Sequence, residues 1–322
     1  MSKVTVLVAA YNAEKYLEEC LDSLVGQTLK DIQIVCIDDG STDSTPQILD
    51  RYASKDSRIR ILTEKVNSGL AVARNHGIGV ADGQYITMVD ADDLLSADAL
   101  ERAASVLDAN QDMGSVLFKL MLFDGDGERP YPVRSQESEW SAQEAFELSI
   151  DWGIHGLYVS RTQLFRDYPY DASSRLYSDE NTSRIHFLHS GRVGSCSGVY
   201  YYRQHGESMT HQVSVRRLDL VEANTSLAHQ IKSEGQSREI RAFFEKKRWI
   251  NLTGICGFWL EHKELADRDE ALARFRTAWN DIDKSLLPRG LKMKFGYIPC
   301  HSFRLYFLQI EFYFLLRRLL GK

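Results

Sequence analysis

Residues 84–95, QYITMVDADDLL, carry a short β-type run straight into three carboxylates, Asp90, Asp92 and Asp93. A brief β-branched and aromatic run between polar flanks suits a strand covered on both faces of a sheet. Ligands of an open parallel sheet sit beyond the carboxyl ends of its strands. Carboxylates crowded there repel one another unless a cation neutralises them. A hard divalent ion suits Asp-x-Asp and keeps coordination sites for substrate phosphates. Strand-end aspartates also serve as turn formers and caps. Asp93 is read that way, and Asp90 with Asp92 as the ligand-facing pair.

Working outward, KVTVLVAA (3–10), IQIVCI (32–37) and IRIL (59–62) read as three more strands. Helices are expected between them. Asn12 is placed as the cap of the first, which aligns Leu17, Cys20, Leu21, Leu24 and Val25 on one face. Thr45-Pro46 opens the second, running through Tyr52. GLAVARNHGIGVA (69–81) forms the third, and residues 97–110 a fourth after the acidic strand. This β-α-β-α-β-α-β order implies an α/β fold with a Rossmann-like, mostly parallel sheet flanked by helices. Asp38 and Asp39 end the second strand, so both acidic clusters are expected at one crevice.

Further along, SVLFKLMLF (115–123) reads as a strand and 124–140, rich in Gly, Pro and charge, as a loop. GVYYYRQH (198–205) reads as another strand, and helices are expected over 215–232, 236–263 and 266–281. The expected division is a catalytic domain over 1–213, in halves 1–110 and 111–213, and a helical C-terminal region over 214–322.

With 43% hydrophobic and 26% charged residues, the 322-residue chain has an ordinary globular composition. Its formal charge of −6 argues against general nucleic-acid binding. The charge is uneven: seven Lys/Arg and a single acid, Glu311, lie from Ser285 onward. There SFRLYFLQIEFYFLLRRLLGK (302–322) sets bulky apolar groups beside Arg317 and Arg318. Such a segment suits an anionic membrane surface, an oligomer interface or packing within the chain, so residues 285–322 are expected to make one of these contacts. Five cysteines without a C-x-x-C pair indicate reduced thiols. VTVLVAA is too short for a secretory signal, and no stretch approaches the ~18 apolar residues of a spanning helix. A cytoplasmic protein, peripheral at most at the inner face of the cytoplasmic membrane, is expected.

Four blocks, VTVLVAAYNAEKYLEECLDSLVGQT (4–28), IDDGSTDST (37–45), NSGLAVARNHGI (67–78) and YITMVDADD (85–93), resemble in order those of the family-two, inverting nucleotide-sugar glycosyltransferases, which have the GT-A fold. The resemblance implies a nucleotide-diphosphate sugar donor and a glycan or lipid-linked acceptor in bacterial surface polysaccharide assembly. It implies that Tyr11 stacks on the base, Asp39 accepts a base N–H and Arg74 lies near the diphosphate. Asp90 would contact the ribose or donor sugar, and Asp92 would ligate Mg²⁺ or Mn²⁺. Asp38 either assists or is structural.

In this family the catalytic base comes from a Glu-Asp pair opening a later helix. In LYSDENTSRIHFL (176–188) that puts Asp179 in the base position, with Ser178 where the family has Glu. Glu180 is the rival, and capping the helix is Asp179's bland alternative. GVYYYRQHGESMTH (198–211) resembles the closing strand and loop, making His205 a further metal ligand or phosphate contact and His211 a weaker one. His155, in WGIHGLYVSRTQLF (152–165), is a candidate on the acceptor side. Two departures are visible. Ala10 stands where proline often precedes Tyr-Asn, and EKKRW (245–249) replaces the Gln-x-x-Arg-Trp of processive synthases, so addition of a single sugar is expected.

Competing readings fare less well. No G-x-G-x-x-G follows the first strand, against a dinucleotide oxidoreductase. Leu94 stands where an Asp-x-Asp phosphatase wants Thr or Val. A non-catalytic nucleotide-sugar-binding or scaffold protein of the same fold is the remaining alternative.

Overall fold

The structure is a computed structural model that describes residues 1–124, 127–173, 175–206 and 213–321. It divides into two compact units, Met1–Ala172 with Ser178–Gln212, and Ser173–Tyr177 with Val213–Lys322.

The first unit opens with strands β1 (Val4–Ala10), β2 (Ile32–Asp38), β3 (Ile59–Thr63) and β4 (Tyr85–Met88), linked by helices α1 (Leu17–Val25), α2 (Thr45–Ala53) and α3 (Leu70–Val80). All four strands are parallel. β1 pairs with β2 from Val4 opposite Ile32 to Ala10 opposite Asp38, and with β4 from Val4 opposite Tyr85 to Leu7 opposite Met88. β3 flanks β2. Tyr11, Asp39 and Asp90 therefore leave the sheet along one edge.

The unit continues with β5 (Leu94–Leu95), α4 (Ala99–Ala109), β6 (Met113–Asp124), β7 (Gly127–Pro130), β8 (Glu139–Ser141), α5 (Ala142–Ile150), β9 (Tyr158–Arg161), α6 (Thr162–Asp167), α7 (Ser178–Leu188) and β10 (Arg192–Arg203). The strand order is β3-β2-β1-β4-β9-β6-β10-β5. β9 lies antiparallel between β4 and β6, β10 runs parallel to β6, and β5 closes antiparallel on β10. Alternate residues feed two layers: Val4, Val6 and Val8 pack under α1, α2 and α4, while Leu7 joins Val35 and Ile37 under α3, α6 and α7. Side chains of a strand point alternately to opposite faces, so a sheet covered on both sides needs both sets apolar.

Two expectations are corrected. The 124–140 stretch read as a loop contains β7, an exposed hairpin arm on β6, and β8, three residues against β10. The polar composition of β7 reports solvent exposure, which an edge strand shares with a loop, while β8 buries only Trp140. Asn12 does not cap α1, which begins at Leu17 after Tyr16. It sits left-handed at φ 50°, a conformation that Asn tolerates, and its Oδ1 accepts the Thr42 N–H at 2.8 Å.

The second unit is helical: α8 (Leu220–Ser233), α9 (Arg238–Glu261), α10 (Arg268–Asp281), α11 (Arg289–Lys292) and α12 (Phe303–Leu319). Its core gathers Trp249, Cys256 and Trp259 of α9, Phe275 of α10, and Tyr306 and Ile310 of α12. Close seating of α12 depends on Gly257, where a Cβ would lie 2.1 Å from Cζ of Phe314. The EKKRW segment is structural here. Arg248 is buried and donates to Glu245 at 2.8 Å and to Asp281 at 2.5 Å, while the Trp249 indole donates to the Tyr297 carbonyl at 2.9 Å. Among the described residues no helix is long and apolar enough to cross a membrane.

Candidate active site

The turn after β4 is built by β10. The Asp93 N–H donates to the Asp90 carbonyl at 3.0 Å, closing Asp90-Ala91-Asp92-Asp93 into a tight turn. Asp93 is fully buried, and its carboxylate accepts from the Tyr200 hydroxyl and from the Arg203 N–H, both at 2.8 Å. The Tyr200 oxygen accepts the Asp90 N–H at 3.1 Å. Arg203 Nε donates to the Asp92 carbonyl at 2.7 Å, and its guanidinium lies 4.6 Å from the Tyr16 ring and 4.5 Å from the Phe123 ring. The expectation that Asp93 is structural fits this arrangement. Tyr200 and Arg203, which hold the turn from 110 residues away, were not anticipated. Nothing in local periodicity marks which strand will lie beside β5.

With Asp93 anchored inward, Asp90 and Asp92 stay half-buried at the carboxyl end of β4. Arg74 of α3 is buried and donates to Asp90 at 2.6 Å, its guanidinium 5.1 Å from the Tyr170 ring. His205 Nε2 lies 2.8 Å from Asp92 Oδ2, while its Nδ1 is buried without a hydrogen-bond partner among the described residues. Partial burial raises the Asp90 carboxyl; Arg74 opposes this, and Asp92 and Asp179 add to it. For Arg74, burial favours the neutral form, but Tyr170, Asp90 and Asp179 outweigh it and hold the guanidinium charged.

Asp39 is engaged with the chain. Its Oδ1 accepts from the Ser68 N–H and hydroxyl at 2.8 Å each, and its Oδ2 from the Gly69 N–H at 2.9 Å, at the start of α3. A carboxylate offers about four acceptor sites, so one remains for a ligand N–H. Gly40, at φ 74°, permits this approach, since a Cβ there would lie 2.9 Å from the Asn67 nitrogen. Asp38 is buried and accepts the Ser41 N–H at 3.0 Å in the turn after β2. Tyr11 is 46% exposed at the end of β1 and presents an open ring.

Asp179 is exposed in the first turn of α7, where the helix N-terminus favours negative charge. Its charge acts on Arg74, Asp90 and Tyr170. Glu180 is turned aside and accepts from Arg184 at 3.0 Å. Thr182 steadies this helix start by donating to the Ser178 carbonyl and accepting the Asp171 N–H. His155 is a packed residue instead of a crevice group: it is buried and accepts the Leu157 N–H at 3.3 Å. His211 lies outside the described residues.

The family model described as Glycosyl transferase family 2 matches residues 5–169, just over half of the chain. The chain belongs to glycosyl transferase family 2. Glycosyltransferase GlyG of Streptococcus pneumoniae serotype 4 is 28% identical to it over 282 residues, 83% of this chain and 92% of that protein. The crystal structure of S. aureus TarS 1-349 in complex with UDP-GlcNAc superposes with a TM-score of 0.75 at 22% identity, covering 97% of this chain and 91% of that one. Mannosyltransferase PcManGT from Pyrobaculum calidifontis, solved in complex with GDP-Man and Mn²⁺, gives 0.56 at 18% identity, covering 98% and 87%. The fold is GT-A, and this family 2 member is a glycosyltransferase.

Two outcomes follow for the glycosyltransferase's framework. Tyr200→Phe removes one hydroxyl that serves both Asp90 and Asp93, leaving a buried N–H and a buried carboxylate oxygen each short of a partner. A loss of about 1–3 kcal/mol in unfolding free energy is expected, read from urea titration. The second outcome concerns His155 and His186. His186 Nδ1 accepts from the Tyr158 hydroxyl at 2.5 Å and its Nε2–H donates to the Tyr168 carbonyl at 2.6 Å. Burial lowers both imidazoles to about 4, from 6.5 in an open chain. The unfolded chain therefore takes up protons first as pH falls. The stability these groups contribute is complete above about 6.5 and is lost on descending towards 4. Each histidine adds a slope of up to about 1.4 kcal/mol per pH unit, and His155→Gln should remove its share.

Proposed function

We propose that this glycosyltransferase is an inverting, divalent-cation-dependent enzyme. It moves one sugar from a nucleotide-diphosphate sugar to a hydroxyl of a glycan or lipid-linked acceptor on the cytoplasmic side, in bacterial surface polysaccharide assembly. The observation that carries this reading is that Asp92 and Asp179 both act on Asp90, with Arg74 bonded to Asp90 and His205 to Asp92.

In this reading residues 1–110 form the donor half, 111–213 the acceptor half and 214–322 a helical appendage. Tyr11 offers its open ring to the base, and the remaining acceptor site of Asp39 takes a base N–H. Arg74 orients Asp90 towards the ribose or sugar and lends positive charge to the diphosphate side. Asp179 takes the proton of the acceptor hydroxyl as that oxygen attacks the anomeric carbon. The bond from that carbon to the diphosphate oxygen breaks on the opposite face, the electron pair leaves with the nucleoside diphosphate, and the configuration inverts.

The donor set fits a cation held chiefly by substrate. Among the described residues no group of three His, Cys, Asp or Glu side chains could hold an ion. Asp92 and His205 nevertheless meet at one point beside the crevice. Mg²⁺ typically takes one or two carboxylates, waters and substrate phosphates, so Asp92 with the diphosphate would suffice and His205 would add a nitrogen ligand. Bound there, Mg²⁺ or Mn²⁺ would neutralise the charge developing on the departing diphosphate.

A thermal-shift titration with UDP, GDP and CDP, each with and without Mn²⁺ or Mg²⁺, tests this reading. UDP comes first because the TarS structure holds UDP-GlcNAc. One nucleotide should raise the melting temperature only when metal is present, by up to about 2.7 kcal/mol of stabilisation at a hundredfold excess over Kd. A response to none of the three with either ion would defeat it.

A further inference from the structure

The helix α12 has two apolar faces. The inner one, Phe303, Tyr306, Phe307 and Ile310, lies in the core of the second unit. The outer one, Leu305, Leu308, Phe312, Leu315 and Leu319, is between 49% and 74% exposed. Its spacing of three, four, three and four residues draws one line along the helix. Phe312 meets Phe295 at 6.0 Å, which extends the patch into the preceding segment, where Met293 is 82% exposed. Core formation does not account for this second face, and a contiguous exposed apolar patch marks a contact surface.

Charge selects the partner. Lys292, Lys294, Arg304, Arg317 and Arg318 belong to the same segment. Glu311, the one acid from Ser285 onward, lies 4.0 Å from Arg268. Arg304, Glu311 and Arg318 follow one another at seven-residue spacing beside the apolar line, so this rim carries two cations to one acid and is net basic. Docking a second copy through a two-fold contact would bring this rim against itself. A surface with anionic headgroups over an apolar interior complements both parts. No described helix can span a bilayer, so this one would lie on it.

We infer that the outer face of α12, with Met293 and Phe295, seats the protein on an anionic lipid surface. The inference does not depend on which donor or acceptor the crevice takes, and its readout is binding, not turnover. The test is co-flotation of the full chain with vesicles of phosphatidylcholine, with and without phosphatidylglycerol, at low and high salt. The protein should float with the anionic vesicles, less so at high salt, and not with the neutral ones. The pair Leu308→Ser and Phe312→Ser, and separately the triple Arg304→Gln, Arg317→Gln and Arg318→Gln, should each weaken flotation about tenfold or more. All five side chains are exposed, Leu308 and Phe312 by about half, so melting temperature should change little. Absence of flotation with anionic vesicles, or equal flotation with neutral ones, would overturn the inference. So would a concentration-dependent dimer, seen by sedimentation and abolished by the Leu308/Phe312 pair without any vesicle binding, which would give the face to a second copy.

Discussion

Asp92→Asn is expected to lower kcat/KM by about a thousandfold or more, equivalent to roughly 4 kcal/mol of transition-state stabilisation. The substitution keeps side-chain size and leaves the turn intact, because Arg203 bonds the Asp92 carbonyl of the backbone, not its carboxylate. What it removes is the negative charge facing His205 at 2.8 Å. An amide is a poorer ligand for a hard dication, and the diphosphate would lose its bridge to the protein. Calorimetry should find nucleoside-diphosphate affinity in Mn²⁺ reduced to its metal-free level, while the melting temperature without ligand barely moves. If the variant keeps metal-dependent binding and near-normal turnover, Asp92 is not the ligand and the cation assignment fails.

Asp179→Asn is expected to reduce kcat about 10²- to 10⁴-fold, the usual contribution of a positioned general base, with donor affinity retained. The paired variant Glu180→Gln separates the two candidates. Glu180 is tied to Arg184, whose side chain is 7% exposed. Its substitution should lower the melting temperature through that weakened ion pair and leave kcat within about threefold. Single-turnover measurements on preformed donor complexes distinguish loss of chemistry from loss of binding. The reverse pattern, with chemistry lost in Glu180→Gln and kept in Asp179→Asn, would move the base one residue along α7.

How much of this site was legible in the chain varies with the reach of the interactions. β1 to β4 and α2 to α4 follow from local runs, because two-sided burial imposes apolar residues at short range. The carboxylate pair was legible for the same reason: a strand end is recognisable from its own neighbours. The anchor of that pair was not. Tyr200 and Arg203 reach Asp90 and Asp93 only because β10 pairs with the two residues of β5. The antiparallel insertion of β9 between β4 and β6 was likewise invisible, since YVSR has the same composition in either direction. Asn12 misled because a residue that caps helices is also one that tolerates a left-handed turn.

The sequence by itself determined the order of strands and helices in the first third, the carboxylates at the strand ends and the basic, apolar character of residues 285–322. Those are properties of neighbours along the chain, set by side-chain period and by charge. Tertiary structure alone decided that Asp39 is largely committed to Ser68 and Gly69, that His155 is packed away, and that Glu180 is held by Arg184 while Asp179 stays open. It alone also divided α12 into a buried face and an exposed one. Each of these depends on which distant groups fold against a residue, and a hydrogen bond or ion pair forms only where packing brings its two ends within reach.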